Sequence, residues 1–106
     1  MDPTTAPLVF WYQGGPGCSG LGGLLTENGP LIPDGNGGLT TNPIAWTKIA
    51  NVVYLEQPAF VGFSYSNTSS DTNTGDVQAT IDNKAFVEGF LQLYPDYQGR
   101  PTWFTG

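Results

Sequence analysis

Leu8-Val9-Phe10-Trp11-Tyr12 is apolar at every position, and one residue later the chain breaks into Gly14-Gly15-Pro16-Gly17. A run without alternation suits a strand buried on both faces, as in a parallel sheet. The glycine-proline segment cannot continue that strand. It reads as a tight loop opening into a helical turn over residues 21–26, which Asn28-Gly29-Pro30 ends. A second apolar run, Asn51 to Glu56, is closed by Gln57-Pro58 and reads as another buried strand. Residues 31–45 hold Pro33, Asp34-Gly35, Asn36-Gly37-Gly38 and Asn42-Pro43 and read as a loop; residues 59–75 read as irregular. Asp76 reads as the N-cap of the clearest helix, in which Val77, Ile81, Ala85, Phe86, Phe90, Leu91 and Tyr94 recur at three- and four-residue steps until Pro95. Thr102-Trp103-Phe104-Thr105 starts a third strand. Strand, loop, strand, long helix, strand is the order of a right-handed crossover unit. The expected class is α/β, with a partial parallel sheet of about three buried strands.

The composition narrows the function. With 3 basic and 9 acidic residues, a net charge of −6 argues against nucleic acid and against an anionic membrane surface. The longest apolar run is far too short to span a bilayer. Met1-Asp2-Pro3-Thr4-Thr5 lacks the basic start and apolar stretch of a signal peptide. There is no histidine and one cysteine, Cys18, so no Ser-His-Asp triad, Cys-His pair or usual zinc cluster can be assembled within the chain. No metal and no cofactor are expected. Charged residues are only 11% of the chain, low for a freestanding surface. That figure, with an apolar strand at the very end, leads us to expect an incomplete domain, cut at the C-terminal end and also at the N-terminal end.

Several residues are candidates for a role. The Gly14–Gly17 loop follows a buried strand, where α/β-hydrolases place one backbone N–H of the oxyanion hole. A developing alkoxide needs an N–H within about 3 Å, and glycine lets the backbone approach without a Cβ. The same glycines also fit a plain turn. Cys18 reads as a buried small hydrophobe on spacing alone, or as half of a disulfide. Asn67-Thr68-Ser69 is an N-glycosylation sequon. Trp11, Trp46 and Trp103 read as core packing rather than a sugar platform. Asp76, Asp82 and Glu88 read as the solvated face of the helix.

Taken in order, the motifs resemble one family. Trp11-Tyr12-Gln13-Gly14-Gly15-Pro16-Gly17-Cys18-Ser19-Gly20 is similar to the W-L-N-G-G-P-G-C-S-S loop of the serine carboxypeptidases. Glu27-Asn28-Gly29-Pro30 resembles their E-x-G-P, and Asn42-Pro43-Ile44-Ala45-Trp46 their N-P-x-S-W. The stretch from Glu56 to Ser66 resembles D-x-P-x-G-x-G-F-S-Y-S. Gln13 stands for an asparagine, Gly20 for a serine, Glu56 for an aspartate and Phe60 for a glycine.

The resemblance implies an α/β-hydrolase fold with a Ser-Asp-His triad, acting at acidic pH on peptides with a free C-terminal carboxylate. It implies Gly15 N–H as an oxyanion donor, and Gln13, Gly14 and Glu27 as the binding group for that carboxylate. In the family the glutamate at the position of Glu27 works with a second one, and protons shared between acidic groups explain binding that strengthens at low pH. Cys18 would pair with a distant cysteine. Secretion, or residence in a vacuole or lysosome, follows from the family alone. Gly106 matches the first glycine of G-E-S-Y-A-G, so the nucleophile, the triad Asp and His and the second oxyanion donor would all lie beyond it. The chain alone is therefore expected to be inactive. A carboxypeptidase-like acyltransferase would use the same loop. Two readings from other classes also stand: a module binding peptide carboxylates or glycans, and an incomplete or decayed reading frame, the latter preferred.

Overall fold

A computed structural model describes residues 1–106. Five strands form: β1 Leu8–Tyr12, β2 Leu31–Pro33, β3 Leu39–Thr41, β4 Asn51–Leu55 and β5 Thr102–Thr105. Helix α1 is a single turn, Gly20–Gly22, that widens into a π turn over Gly23–Glu27; α2 runs from Asp76 to Leu93. The class is α/β, as the apolar runs imply. β4, β1 and β5 make a parallel sheet in that order, with Phe10 opposite Val53 on one side and Phe104 on the other. The chain leaves β4, crosses β1 through α2 and returns on β5.

Phe10 is the centre of the core and is fully buried. Its ring meets Phe86 and Phe90 of α2 edge-on, at 6.2 and 5.4 Å, and stacks on Phe104 at 5.6 Å. Quadrupole geometry favours both arrangements. Successive strand residues face opposite ways, so Val9 and Trp11 point to the other face. There Trp11 meets Trp46 edge-on at 5.3 Å. Arg100 anchors the entry to β5: its guanidinium lies over the Tyr97 ring at 4.5 Å and donates to Pro3 O at 2.7 Å.

The structure departs from the sequence reading in the loop, at the helix cap and along the helix stripe. Residues 31–45 are not all loop, because β2 and β3 pair antiparallel with Ile32 opposite Thr40. Asp34 closes that hairpin, its carboxylate accepting from Asn36 N and Gly38 N. Those two backbone N–H groups hold it below the usual carboxylate range. Asp76 is not the N-cap of α2. Gly75, extended at φ −161°, takes that place, and no side chain caps the helix. Asp76 instead lies in the first turn, where a carboxylate still favours the dipole. The apolar stripe of α2 covers the sheet only through its second half, since Val77 and Ile81 are 77% and 56% exposed.

Burial also falls from the centre outwards. Only β1 is buried; β4 is half-buried and the middle of β5 is exposed, because each flanking strand is an edge. Trp103 is 62% exposed and Ile49 73%, so Trp103 is not the core residue expected of it. The face away from α2 is an apolar hollow of about 290 Å³ lined by Val9, Trp46, Ile49 and Trp103.

This face generates a prediction. The 106-residue chain by itself self-associates and binds an apolar fluorescent dye. Serine at both Ile49 and Trp103 lowers dye binding and raises the monomer fraction in sedimentation velocity. A wild-type monomer with a sharp, reversible melt contradicts it.

Candidate active-site scaffold

β1 delivers Gln13 one residue past its end, and the strand's own Trp11 sets the amide. Trp11 Nε1–H donates to Gln13 Oε1 at 2.9 Å. An indole nitrogen can only donate, so the Gln13 oxygen faces it and Nε2 faces away. Nε2 then donates to Glu27 Oε1 at 2.7 Å. Gly23 lies against this relay: a Cβ there would overlap Trp11 Nε1 and Gln13 Oε1. The π turn that carries Gly23 also carries Glu27.

The buried Asn42 fixes the backbone around Glu27. Its Nδ2 donates to Glu27 O at 3.1 Å and Gly29 O at 2.9 Å, and its Oδ1 accepts from Ile44 N at 3.0 Å. Three hydrogen bonds fill most of the capacity of that amide, so the hairpin base and the end of the π turn move as one. Tyr54 of β4 joins them by donating to Asn28 Oδ1 at 2.8 Å. Burial pushes the Tyr54 hydroxyl up, which keeps it a neutral donor. The sequence marked Asn42 as a motif position but gave it no role.

The Gly14–Gly17 loop is exposed, and neither Gly14 nor Gly15 donates its N–H to another group of the chain. Gly15 has φ +139°, and a Cβ on it would press on Cys18 N and Sγ at 3.2 Å. The peptides before Pro16 and Pro58 are cis. Cys18 is exposed with a free thiol. The buried reading of it fails because the loop carries it past the end of the sheet.

Glu56, at the end of β4, is a hub that the sequence registered only as a departure from aspartate. Ser19 Oγ donates to Glu56 Oε1, as does Leu21 N at 3.2 Å, and Phe63 N donates to Oε2 at 2.8 Å. Ser64 Oγ donates to the Glu56 carbonyl. One carboxylate thus joins the end of the glycine loop, the start of α1 and the loop after Pro58. The Ser19 hydroxyl, followed by the backbone N–H groups, holds Glu56 below the usual carboxylate range. Phe60 sits in that loop at φ +75°, the left-handed region that a bulky residue rarely enters.

The structure therefore brings Gln13 and Glu27 together, with Gly14 and Gly15 next along the chain and Cys18 just beyond. Asn67 lies apart, in an exposed loop. No three His, Cys, Asp or Glu side chains come close enough to hold a metal ion.

A glycine loop with free N–H groups, placed after the central strand of a parallel sheet, is the arrangement of an α/β-hydrolase. The family described as "Serine carboxypeptidase" matches residues 1–106, and the chain belongs to it. It is 47% identical over 107 residues to the Lysosomal protective protein of Mus musculus, covering 99% of this chain and 22% of that protein. It is 40% identical over 111 residues to Serine carboxypeptidase-like 20 of Arabidopsis thaliana, again 99% and 22%. Among solved structures it is similar to Kex1(delta)p, a prohormone-processing carboxypeptidase from Saccharomyces cerevisiae. The TM-score is 0.79 at 26% identity, covering 93% of this chain and 22% of that one. The chain spans about a fifth of the length of the curated relatives it matches.

The Glu56 hub and its loop lead to three predictions. Glu56→Gln swaps an acceptor for a donor and weakens the hub by about 1–2 kcal/mol, which makes the Leu21 and Phe63 amides exchange roughly ten-fold faster. The pH dependence has a fixed sign. The folded carboxyl titrates below its unfolded value of about 4.3, so its stabilisation is complete above that value. It is lost as pH falls through the lower folded value, and amide protection read by NMR declines in that window. At Phe60 the left-handed backbone costs about 1–2 kcal/mol. In the more monomeric background with serine at Ile49 and Trp103, Phe60→Gly is expected to leave stability unchanged or raise it by about 1 kcal/mol, and Phe60→Val to lower it by about as much, in chemical denaturation.

Proposed function

We propose that these residues form the early part of a serine carboxypeptidase α/β-hydrolase domain and bind the substrate's end rather than cut it. The substrate is a peptide with a free C-terminal carboxylate. Gln13 Nε2 and Gly14 N–H hold that carboxylate, Glu27 holds Gln13, and Gly15 N–H is one oxyanion donor. The observation that carries this reading is the Trp11–Gln13–Glu27 relay beside two backbone N–H groups without partners. Gln13 Nε2 has a second hydrogen for a ligand once one is spent on Glu27.

Gln13 is one methylene longer than the asparagine of the family pattern, and the relay accommodates it. Both ends of its amide are held, so the extra length turns the group towards Glu27 instead of leaving it loose. Hydrolysis also needs a nucleophile and a general base. With no histidine among the 106 residues, the chain alone is proposed to be inactive. Cys18 is proposed as half of a disulfide, for which its exposure leaves it accessible. We place the protein in the secretory route, towards a lysosome, a vacuole or the outside. The name of the mouse relative supports this, and no helix is long and apolar enough to cross a membrane.

The test is a graft in which residues 1–106 replace the matching segment of the mouse protein. In that graft Gln13→Ala is expected to raise KM for blocked dipeptides about ten-fold or more with little change in kcat, the cost of one hydrogen bond to a charged group. Gln13→Asn should restore most of the loss, and the 106-residue chain alone should give no turnover. An unchanged KM in the Ala variant would remove Gln13 from the carboxylate site.

A further inference from the structure

We propose that Asn67 is an N-glycosylated residue whose first sugar rests on the ring of Tyr65. Asn67-Thr68-Ser69 is the one N-x-[ST] sequon in the chain, and no proline intervenes. All three residues are exposed, and the Asn67 amide makes no hydrogen bond within the chain. Thr68 is extended, at φ −112° and ψ 112°, and the 3₁₀ turn over Ser69–Thr72 begins only after it. The acceptor amide and the Ser69 hydroxyl are therefore both open to an enzyme that must grip them together. The loop is also pinned from below. Ser66 Oγ donates to Asp71 Oδ2 at 2.5 Å and accepts from Thr68 N at 3.0 Å, which holds the sequon outward on a short tether.

A second observation concerns the sugar itself. Tyr65, two residues before Asn67, is 79% exposed. An exposed aromatic side chain two residues from the acceptor is within reach of the apolar side of a first N-acetylglucosamine. In the modification Asn67 Nδ2 attacks the anomeric carbon of a lipid-pyrophosphate-linked oligosaccharide. The new C–N bond forms as the C–O bond to the pyrophosphate breaks. The amide proton passes to a base of the transferase, and the lipid pyrophosphate leaves. No oxidant or reductant is involved.

The proposal agrees with the secretory placement above, but its test does not depend on it. The graft of residues 1–106 into the mouse protein is expressed in a eukaryotic host behind a supplied secretion leader, with a second sequon in a C-terminal tag as an internal control. Peptide-N-glycosidase in heavy-oxygen water is expected to convert Asn67 to a labelled aspartate, read by peptide mass spectrometry. Asn67→Gln and Ser69→Ala should abolish that label, and Ser69→Thr should raise it. Tyr65→Ala should lower fractional occupancy by a factor of about two or more. A glycosylated tag with an unmodified Asn67 overturns the site. Unchanged occupancy in Tyr65→Ala overturns the role of the ring.

Discussion

The arrangement depends on the alternation of two neighbouring residues in β1. Phe10 faces α2 and is buried between Phe86, Phe90 and Phe104. Trp11 faces the other way, and its indole sets the Gln13 amide. A strand cannot shift by one residue without exchanging these faces, so the packing of Phe10 also fixes where Trp11 and Gln13 lie. The core and the candidate site are two sides of one register. The second half of α2 packs through Phe86 and Phe90 on the face that the relay does not use, while its first turns reach the site's other edge, where Asp76 and Ala79 line one hollow with Pro16 and Gly17.

The second constraint is backbone approach. A Cβ on Gly20 would overlap the Leu55 carbonyl, so α1 starts directly against the end of β4. Glu56 is the next residue, and its carboxylate reaches Ser19, Leu21 and Phe63 because of that closeness. Hydrogen bonds to a charged acceptor are the stronger kind, and three donors converge on this one. Gly62 is packed on the same carboxylate, so a Cβ there would push Glu56 off its donors. An aspartate here would have to bridge the same gap with one methylene fewer. The glutamate and the crowded glycine are parts of one solution.

Much of this was legible in the residues. β1, β4, β5 and α2 were visible because each carries an apolar run, unbroken in the strands and at helical spacing in α2. β2 and β3 were not, because both are three residues long and mostly exposed, so no alternation marks them. The start of α2 at Asp76 was legible but its cap was not, since Asp76 carries the usual capping chemistry while Gly75 has the extended backbone that a cap needs. In the site, Gln13 and Glu27 were nameable through the family pattern. Their bond was not, because fourteen residues separate them and a π turn brings them together. Asn42 and Glu56 act by tying backbone segments, and that role leaves no periodic trace.

The chemistry open to the chain follows from what is gathered at the end of β1. Backbone N–H groups and a primary amide can hold negative charge, both a carboxylate at rest and an oxyanion as it forms. Neither can remove a proton from a hydroxyl. The one nearby carboxylate, Glu27, is committed to Gln13, and Glu56 is committed to three donors. Binding and proton transfer are therefore separable tasks in this architecture, and the proposed function gives these 106 residues the first. A scaffold of that kind raises the rate only when a nucleophile and base are set against it, since binding that is uniform between ground and transition state accelerates nothing. Gly15 is the point of contact between the two tasks. On the proposed reading its N–H addresses charge that exists only during the reaction, while Gln13 and Gly14 address charge that the substrate already carries.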